Sequence, residues 1–217
     1  MTVPIIAYFS GSPCSKVAPL VLLPTLFISA LISTPIIYSY REIVYKNIQM
    51  IESLNKDPLT GLLNRHSFFP KYNEALKRLQ SQDKSYATLM IDIDDFKIIN
   101  DTYGHIVGDF VIKQASKIIA QQIRENDLCC RFGGEEFLIF LGNVNYHSAD
   151  QLSEKIQKSL EVKIIYNDCS IKITASVGMI FSSSQNISAE QLIMEADKKM
   201  YDAKANGKNQ ILKKKIA

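Results

Sequence analysis

Hydrophobic and polar positions along the chain fall into three successive patterns. From residue 17 to residue 40 nothing is charged. A helical run of that length reaches ~36 Å, more than the ~30 Å of a bilayer core. Arg41 and Lys46 follow at once, as on a cytoplasmic flank. Pro19, Pro24 and Pro35 fall inside the run, where a membrane helix tolerates proline better than a soluble one. This pattern predicts a transmembrane helix over 17–40, behind a short N-terminal segment 1–16. The competing readings are a buried core helix and a signal peptide. The second is disfavoured because no basic start precedes Lys16 and no clear small-residue cleavage site follows.

Over 41–56 the period changes. Val44, Ile48, Ile51 and Leu54 recur at helical spacing. Such a connector either pairs with its twin as a short coiled coil or packs on its own domain. Asp57-Pro58 breaks it, and the third region, 57–217, alternates in type. Helical periodicity predicts helices over 65–80, 106–124, 148–161 and 188–206, the last closed by Gly207 as its C-terminal cap. Apolar runs predict strands over 86–93 and 169–181, with 162–166 as a partner of the latter and 210–213 as a final strand. Helices mixed with a hairpin argue for an α+β sandwich on an antiparallel-rich sheet.

Candidate chemistry gathers at two places. In Arg131-Phe132-Gly133-Gly134-Glu135-Glu136-Phe137, two glycines stand between strand-like runs 128–132 and 137–141. The Gly-Gly link predicts a tight hairpin whose turn needs positive φ. Backbone left bare at 133 and 134 admits a bulky ligand beside Glu135. Upstream, Asp92 interrupts the end of an almost wholly apolar strand. A buried carboxylate is costly unless paired or bound to a cation. Asp92 and Glu135 on adjacent strands would therefore suit a divalent ion, with hard oxygen ligands completed by nucleotide phosphates, as magnesium prefers. A calcium loop over Asp92, Asp94 and Asp101 is excluded, since Phe96 and Lys97 stand where an acid or amide and then glycine are required.

Composition changes little. The chain has 217 residues and a net charge of +3, with its basic residues scattered, which gives no argument for nucleic acid. Lys213-Lys214-Lys215 reads as a solvated basic end. Cys14, Cys129, Cys130 and Cys169 form no CxxC pair and read as free thiols in a reducing compartment.

The spaced motifs resemble a known family. Gly133 to Phe137 is similar to the signature of the GGDEF-domain diguanylate cyclases in its GGEEF form. Asp57-Pro58-Leu59-Thr60-Gly61-Leu62-Leu63-Asn64-Arg65 matches the family's opening motif. Asp92-Ile93-Asp94, Phe96-Lys97, Ile99-Asn100-Asp101, Gly104-His105 and Gly108-Asp109 match its central block. Asp197, Tyr201, Ala203-Lys204, Gly207 and Asn209 match its closing one.

The resemblance implies a fold like the palm of nucleotidyl cyclases and polymerases. It implies condensation of two GTP into cyclic di-GMP with loss of pyrophosphate. Magnesium, or manganese in its place, would be held by Asp92, the Ile93 carbonyl and Glu135. Glu135 would also help to accept a proton, with Glu136 as a second base candidate and Lys97 stabilising the transition state. Asn100 and Asp109 would read guanine, with His105 and Phe96 beside them. Gly133, Gly134, Lys204 and Lys208 would meet the phosphates, while Asp94 reads as a helix N-cap. Arg124 and Asp127 match an RxxD inhibitory site for the product. Two GTP molecules imply a homodimer, and the N-terminal run implies a bacterial inner membrane with the catalytic domain in the cytoplasm. The rival readings are a silent GTP or cyclic di-GMP receptor, a cyclase of different product, and a membrane-tethered scaffold.

Overall fold

The structure, a computed structural model, describes residues 13–167, 169–183 and 186–216, with the side chains at 13–26, 49 and 51–53 left out. The chain divides into two compact units, 1–52 and 53–217. Helix α1 (Pro13–Asn55), whose last three residues are counted in the second unit, carries both the uncharged run and the connector. Residues 1–12 of the predicted N-terminal segment lie outside the described residues. Among the described residues no helix is long and apolar enough to cross a membrane. The predicted span 17–40 is therefore not found, and the side chains of its first part, 17–26, lie outside the described residues.

The second unit is built on a six-stranded sheet in the order β1-β3-β4-β2-β7-β8. Its strands are β1 (Leu63–Asn64), β2 (Tyr86–Ile93), β3 (Leu128–Arg131), β4 (Glu136–Gly142), β7 (Ala175–Ser182) and β8 (Ile211–Ile216). The inner pairings are antiparallel, and the two edges, β1 on β3 and β8 on β7, are parallel. The sheet is thus mixed and antiparallel-rich. A separate hairpin pairs β5 (Val162–Tyr166) with β6 (Cys169–Ile173).

Every residue of β2 and of β7 is buried, because helices cover both faces. Ala87, Leu89, Ile91 and Ile93 point into one core with α4 (His105–Ala120) and α5 (Tyr146–Leu160). Tyr86 and Met90 point into the other with α2 (Arg65–Ser81) and α6 (Ala189–Ala205). This is the period-two division expected of a central strand. Helix α6 lies directly on β7: a β-carbon at Gly178 would stand 2.0 Å from the Ala196 carbonyl oxygen. That contact fixes the helix that carries Lys204. Ser188 and Gln191 form a capping box at its start, and Gly207, at φ 109°, ends it.

Three expectations change. The long helix 106–124 stops at Ala120, and a turn over 124–127 replaces its end. The strand 169–181 is interrupted at Thr174, whose carbonyl accepts the Asp94 amide (2.9 Å) and whose hydroxyl donates to Asp94 Oδ2 (2.6 Å). The three terminal lysines are not a solvated end but part of β8. Lys213 pairs with Asp150 and Glu154, Lys214 with Glu195, and Lys215 lies over the Tyr146 ring. Cys129 and Cys130 face opposite cores and, with Cys169, are free thiols; Cys14 lies outside the described side chains.

Candidate active site

Strand β2 ends beside the start of β4. Asp92 stands opposite Glu136 in the antiparallel register, so their side chains share a face, the face covered by α6. Glu135 is one residue outside β4, and its carbonyl accepts the Ile93 amide at 3.3 Å. The expected meeting of Asp92 with Glu135 thus comes with a third acid, and the direct cross-strand partner is Glu136.

Asp92 is only 3% exposed. Its Oδ2 receives the Lys204 ammonium at 2.7 Å, while its Oδ1 is buried and makes no hydrogen bond. Burial pushes its pKa up from 3.8 to about 6; Lys204 opposes the rise, and Glu135 and Glu136 add to it. Burial also raises Glu136, assisted by Asp197 and Glu135.

The turn itself departs from expectation. Its link is four residues, 132–135, not two. Neither Gly133 nor Gly134 is in the left-handed region; the positive-φ glycines are Gly61, Gly104 and Gly207. Gly133 is needed for space instead, since a β-carbon there would come within 2.3 Å of Glu136 Oε2. A β-carbon at Gly134 would meet nothing within 4 Å, so that side of the backbone is open to a ligand.

Two arginines hold this turn, both within the quoted motifs but neither given a role from sequence. Arg131 donates from Nε (3.0 Å) and Nη2 (2.8 Å) to the Gly134 carbonyl, and its Nη1 pairs with Asp57 at 3.3 Å. Asp57 in turn accepts from the Thr60 amide and hydroxyl. The opening loop is thereby tied to the hairpin. Arg65 lies over the Phe132 ring, 4.5 Å from its centroid.

A second group forms at the corner between α3 (Phe96–Tyr103) and α4. Gly104, at φ 84°, is the cap shared by both helices. Asn100 and half-buried Phe96 face Gly108 across this corner, and Asn100 Oδ1 is buried without a partner. His105 and Asp109 are exposed and four apart on α4, hence on one side of it. Lys97 is exposed in the first turn of α3, where helix amides lack internal partners. Asp94 is not the N-cap. It is buried and accepts from Thr174, Ser176 and the Asn209 amide. The cap position belongs to Asp95, at φ 56° and without a side-chain capping bond. Asp95 pairs instead with Lys208 at 2.6 Å.

Arg124 and Asp127 lie at the far end of β3. Asp127 Oδ2 accepts the Arg124 amide at 2.9 Å, and the Asp127 amide returns a bond to the Arg124 carbonyl at 3.0 Å. Burial raises the Asp127 carboxyl, opposed by the Arg124 and Gly142 backbone. A cavity of about 170 Å³, lined by Gln122, Arg124, Asp127 and Leu152 among others, adjoins the turn.

Among the described residues no three His, Cys, Asp or Glu side chains group to hold a metal alone. The expected set has two carboxylates and one carbonyl, so phosphates and water must complete it, as magnesium permits. The orphaned Asp92 Oδ1 fits such an ion, since a buried carboxylate oxygen without a donor calls for a cation.

The model of the family described as diguanylate cyclase, GGDEF domain, matches residues 54–210. Diguanylate cyclase A of Treponema denticola is 39% identical over 179 residues, covering 81% of this chain and 48% of its own length. Diguanylate cyclase DgcS of Shewanella oneidensis is 37% identical over 153 residues, covering 70% of this chain and 50% of its own. The chain therefore spans about half the length of these curated relatives. The crystal structure of diguanylate cyclase SiaD with its activator SiaC, from Pseudomonas aeruginosa, matches with a TM-score of 0.72 at 32% identity, over 89% of this chain and 73% of that one.

Proposed function

The chain belongs to the GGDEF-domain diguanylate cyclase family, and from that premise we propose that it condenses two GTP into cyclic di-GMP and two pyrophosphates. The observation that carries this reading is the Asp92 carboxylate: buried, one oxygen unpartnered, and facing the acids of the Gly-Gly turn. Asp92, the Ile93 carbonyl and Glu135 would hold Mg²⁺ or Mn²⁺. A bound ion lowers the pKa of an attacking hydroxyl and neutralises phosphate charge.

The protein's own groups do the rest by position and charge. Open backbone at Gly134 admits the triphosphate, with Gly133 beside it. Lys204 and Lys208, now paired with Asp92 and Asp95, supply positive charge to it, and Lys97 faces the transferring phosphoryl group. Asn100, His105, Asp109 and Phe96 seat the base. Glu135 accepts the proton of the attacking 3′-hydroxyl. Glu136, whose affinity for a proton is raised by burial, is the second base.

One subunit holds one GTP, so the working unit is a homodimer with two hairpins face to face. Arg124 and Asp127 take the product in feedback, Arg124 through its charged fork. The uncharged run 17–40 anchors the chain in the bacterial inner membrane, with the catalytic unit in the cytoplasm, and holding partners together raises their effective concentration. The test is incubation of the purified chain with GTP and Mg²⁺ and identification of the product by mass. Cyclic di-GMP with two pyrophosphates per product is expected from the parent, and none from Glu135→Gln. Equal turnover in both would refute the metal assignment.

A further inference from the structure

Gly108 is the fourth residue of α4, in ordinary helical conformation, since it is not among the positive-φ glycines. A glycine inside a helix is unfavourable relative to alanine, and nothing in this backbone asks for one. Space does. A β-carbon at 108 would stand 1.9 Å from Asn100 Oδ1, 3.0 Å from Asn100 Cγ and 3.2 Å from Phe96 Cζ. The last contact yields to a small shift of the ring edge. The first is far too close for the Asn100 carboxamide to stay where it is, so the amide, the free end of a side chain, must swing away.

The carboxamide that fills this space is itself costly. Asn100 Oδ1 is buried and receives no hydrogen bond, an arrangement native proteins avoid unless something else requires it. Asn100 is half-buried on α3, whose C-terminal carbonyl at 100 accepts the Gly104 amide at 2.9 Å. The left-handed Gly104 then turns the chain so that α4 returns alongside. The corner, the bare position and the unpartnered amide oxygen are one device.

We infer that Gly108 is a positioning residue for nucleotide specificity: its missing side chain is the seat that holds the Asn100 carboxamide where it meets the purine base. This rests on the GTP-binding reading above. A methyl group at 108 evicts the amide while leaving the phosphate and cation groups in place. The loss therefore falls on base binding and not on the chemical step.

The test uses 3′-deoxy-GTP, which lacks the attacking hydroxyl and so binds without reacting. Gly108→Ala is expected to weaken its binding by about tenfold and to raise KM for GTP with kcat nearly unchanged. In an Asn100→Ala background the same change should cost nothing further, since the evicted group is already gone. Thermal melting separates this from a folding defect. A folded Gly108→Ala with unchanged affinity overturns the inference, as does a loss that simply adds to that of Asn100→Ala. If Gly108→Ala fails to fold, rescue by Asn100→Ala supports the seat, and failure of rescue overturns it. Should the parent protein itself not bind 3′-deoxy-GTP, the nucleotide reading falls and takes this inference with it; binding by the parent with no effect at 108 sinks the seat alone.

Discussion

At one end of the β3–β4 hairpin, the turn 132–135 is gripped from outside; at the other, the turn 124–127 holds itself. Arg131 clamps the Gly134 carbonyl, Asp57 from the opening loop anchors Arg131, and Ile93 binds the Glu135 carbonyl. The Arg124–Asp127 turn is closed mainly by its own amides and one carboxylate, which the Gly142 backbone also meets. Four residues of β3 separate the two ends, about 14 Å of strand. The difference fits the role proposed for each end. Reacting groups have to be held to within fractions of an ångström before substrate arrives. The turn proposed to dock the product needs only to present a cation and a carboxylate, and it is tied to the sheet through the Gly142 backbone on Asp127.

The largest effect should come from the gripped end. Asp92→Asn removes the buried acid and is expected to lower turnover by about 10²–10³-fold, read from pyrophosphate release, while the protein stays folded. The same variant tests the electrostatics. In nucleotide-free protein with chelator, native Asp92 keeps its proton to about pH 6, against 3.8 ordinarily. Below the lower value both folded and unfolded chains are protonated and burial costs nothing. Between about 3.8 and about 6 the unfolded chain gives up the proton that the native one keeps, so stability falls with rising pH, by at most about 3 kcal/mol in all, and levels off above about 6. Urea midpoints at several pH values should show this fall in the parent and a flatter profile in Asp92→Asn. An identical slope in both would assign the effect to other groups.

Next in size is the clamp. Arg131→Ala leaves the Gly134 carbonyl and Asp57 without their partner. We expect a stability loss of about 1–3 kcal/mol and a fall in activity of about 10–100-fold, the range for groups that orient metal ligands. Arg131→Lys keeps the charge opposite Asp57 but cannot reproduce the two parallel bonds to one carbonyl. It should recover melting temperature more fully than activity. Equal recovery of both would mean that Arg131 acts on the fold alone and does not position Glu135.

What sequence could read of this follows from distance along the chain. Strand 86–93 and the helix closed by Gly207 were legible because period, caps and breakers are local signals, and they coincide with β2 and α6. Asp92 was legible because a charge interrupts an apolar run. Arg131 was not, since its meaning depends on Asp57, 74 residues earlier, and no periodicity pairs residues so far apart. Thr174 was hidden for the same reason: its own segment reads as strand, and only Asp94, 80 residues earlier, makes it a break. Asp94 itself sits where an N-cap belongs, and local chemistry favours that role until tertiary bonds claim the carboxylate. The Gly-Gly turn was located correctly, but of the two reasons for it, positive φ and bare backbone, only the second holds, and only at Gly134. Gly133 serves close approach of Glu136 and not backbone handedness, and the sequence cannot distinguish the two.

The self-held end gives the smallest effect on the fold and the sharpest on regulation. Arg124 is exposed and its amide, not its guanidinium, closes the turn. Arg124→Ala should therefore change stability by no more than about 0.5 kcal/mol. Its binding of cyclic di-GMP should weaken by about tenfold, as for loss of a charged hydrogen bond, with product inhibition reduced in step. Asp127→Ala removes the carboxylate that accepts the Arg124 amide, and so should cost about 1 kcal/mol of stability as well. Calorimetry with cyclic di-GMP and thermal melts on the two variants separate the cases. If both melt alike, the turn is not held by Asp127. If Arg124→Ala binds product as tightly as the parent, the cation serves the surface only, and the far end of the hairpin is scaffold, leaving feedback to some other part of the chain.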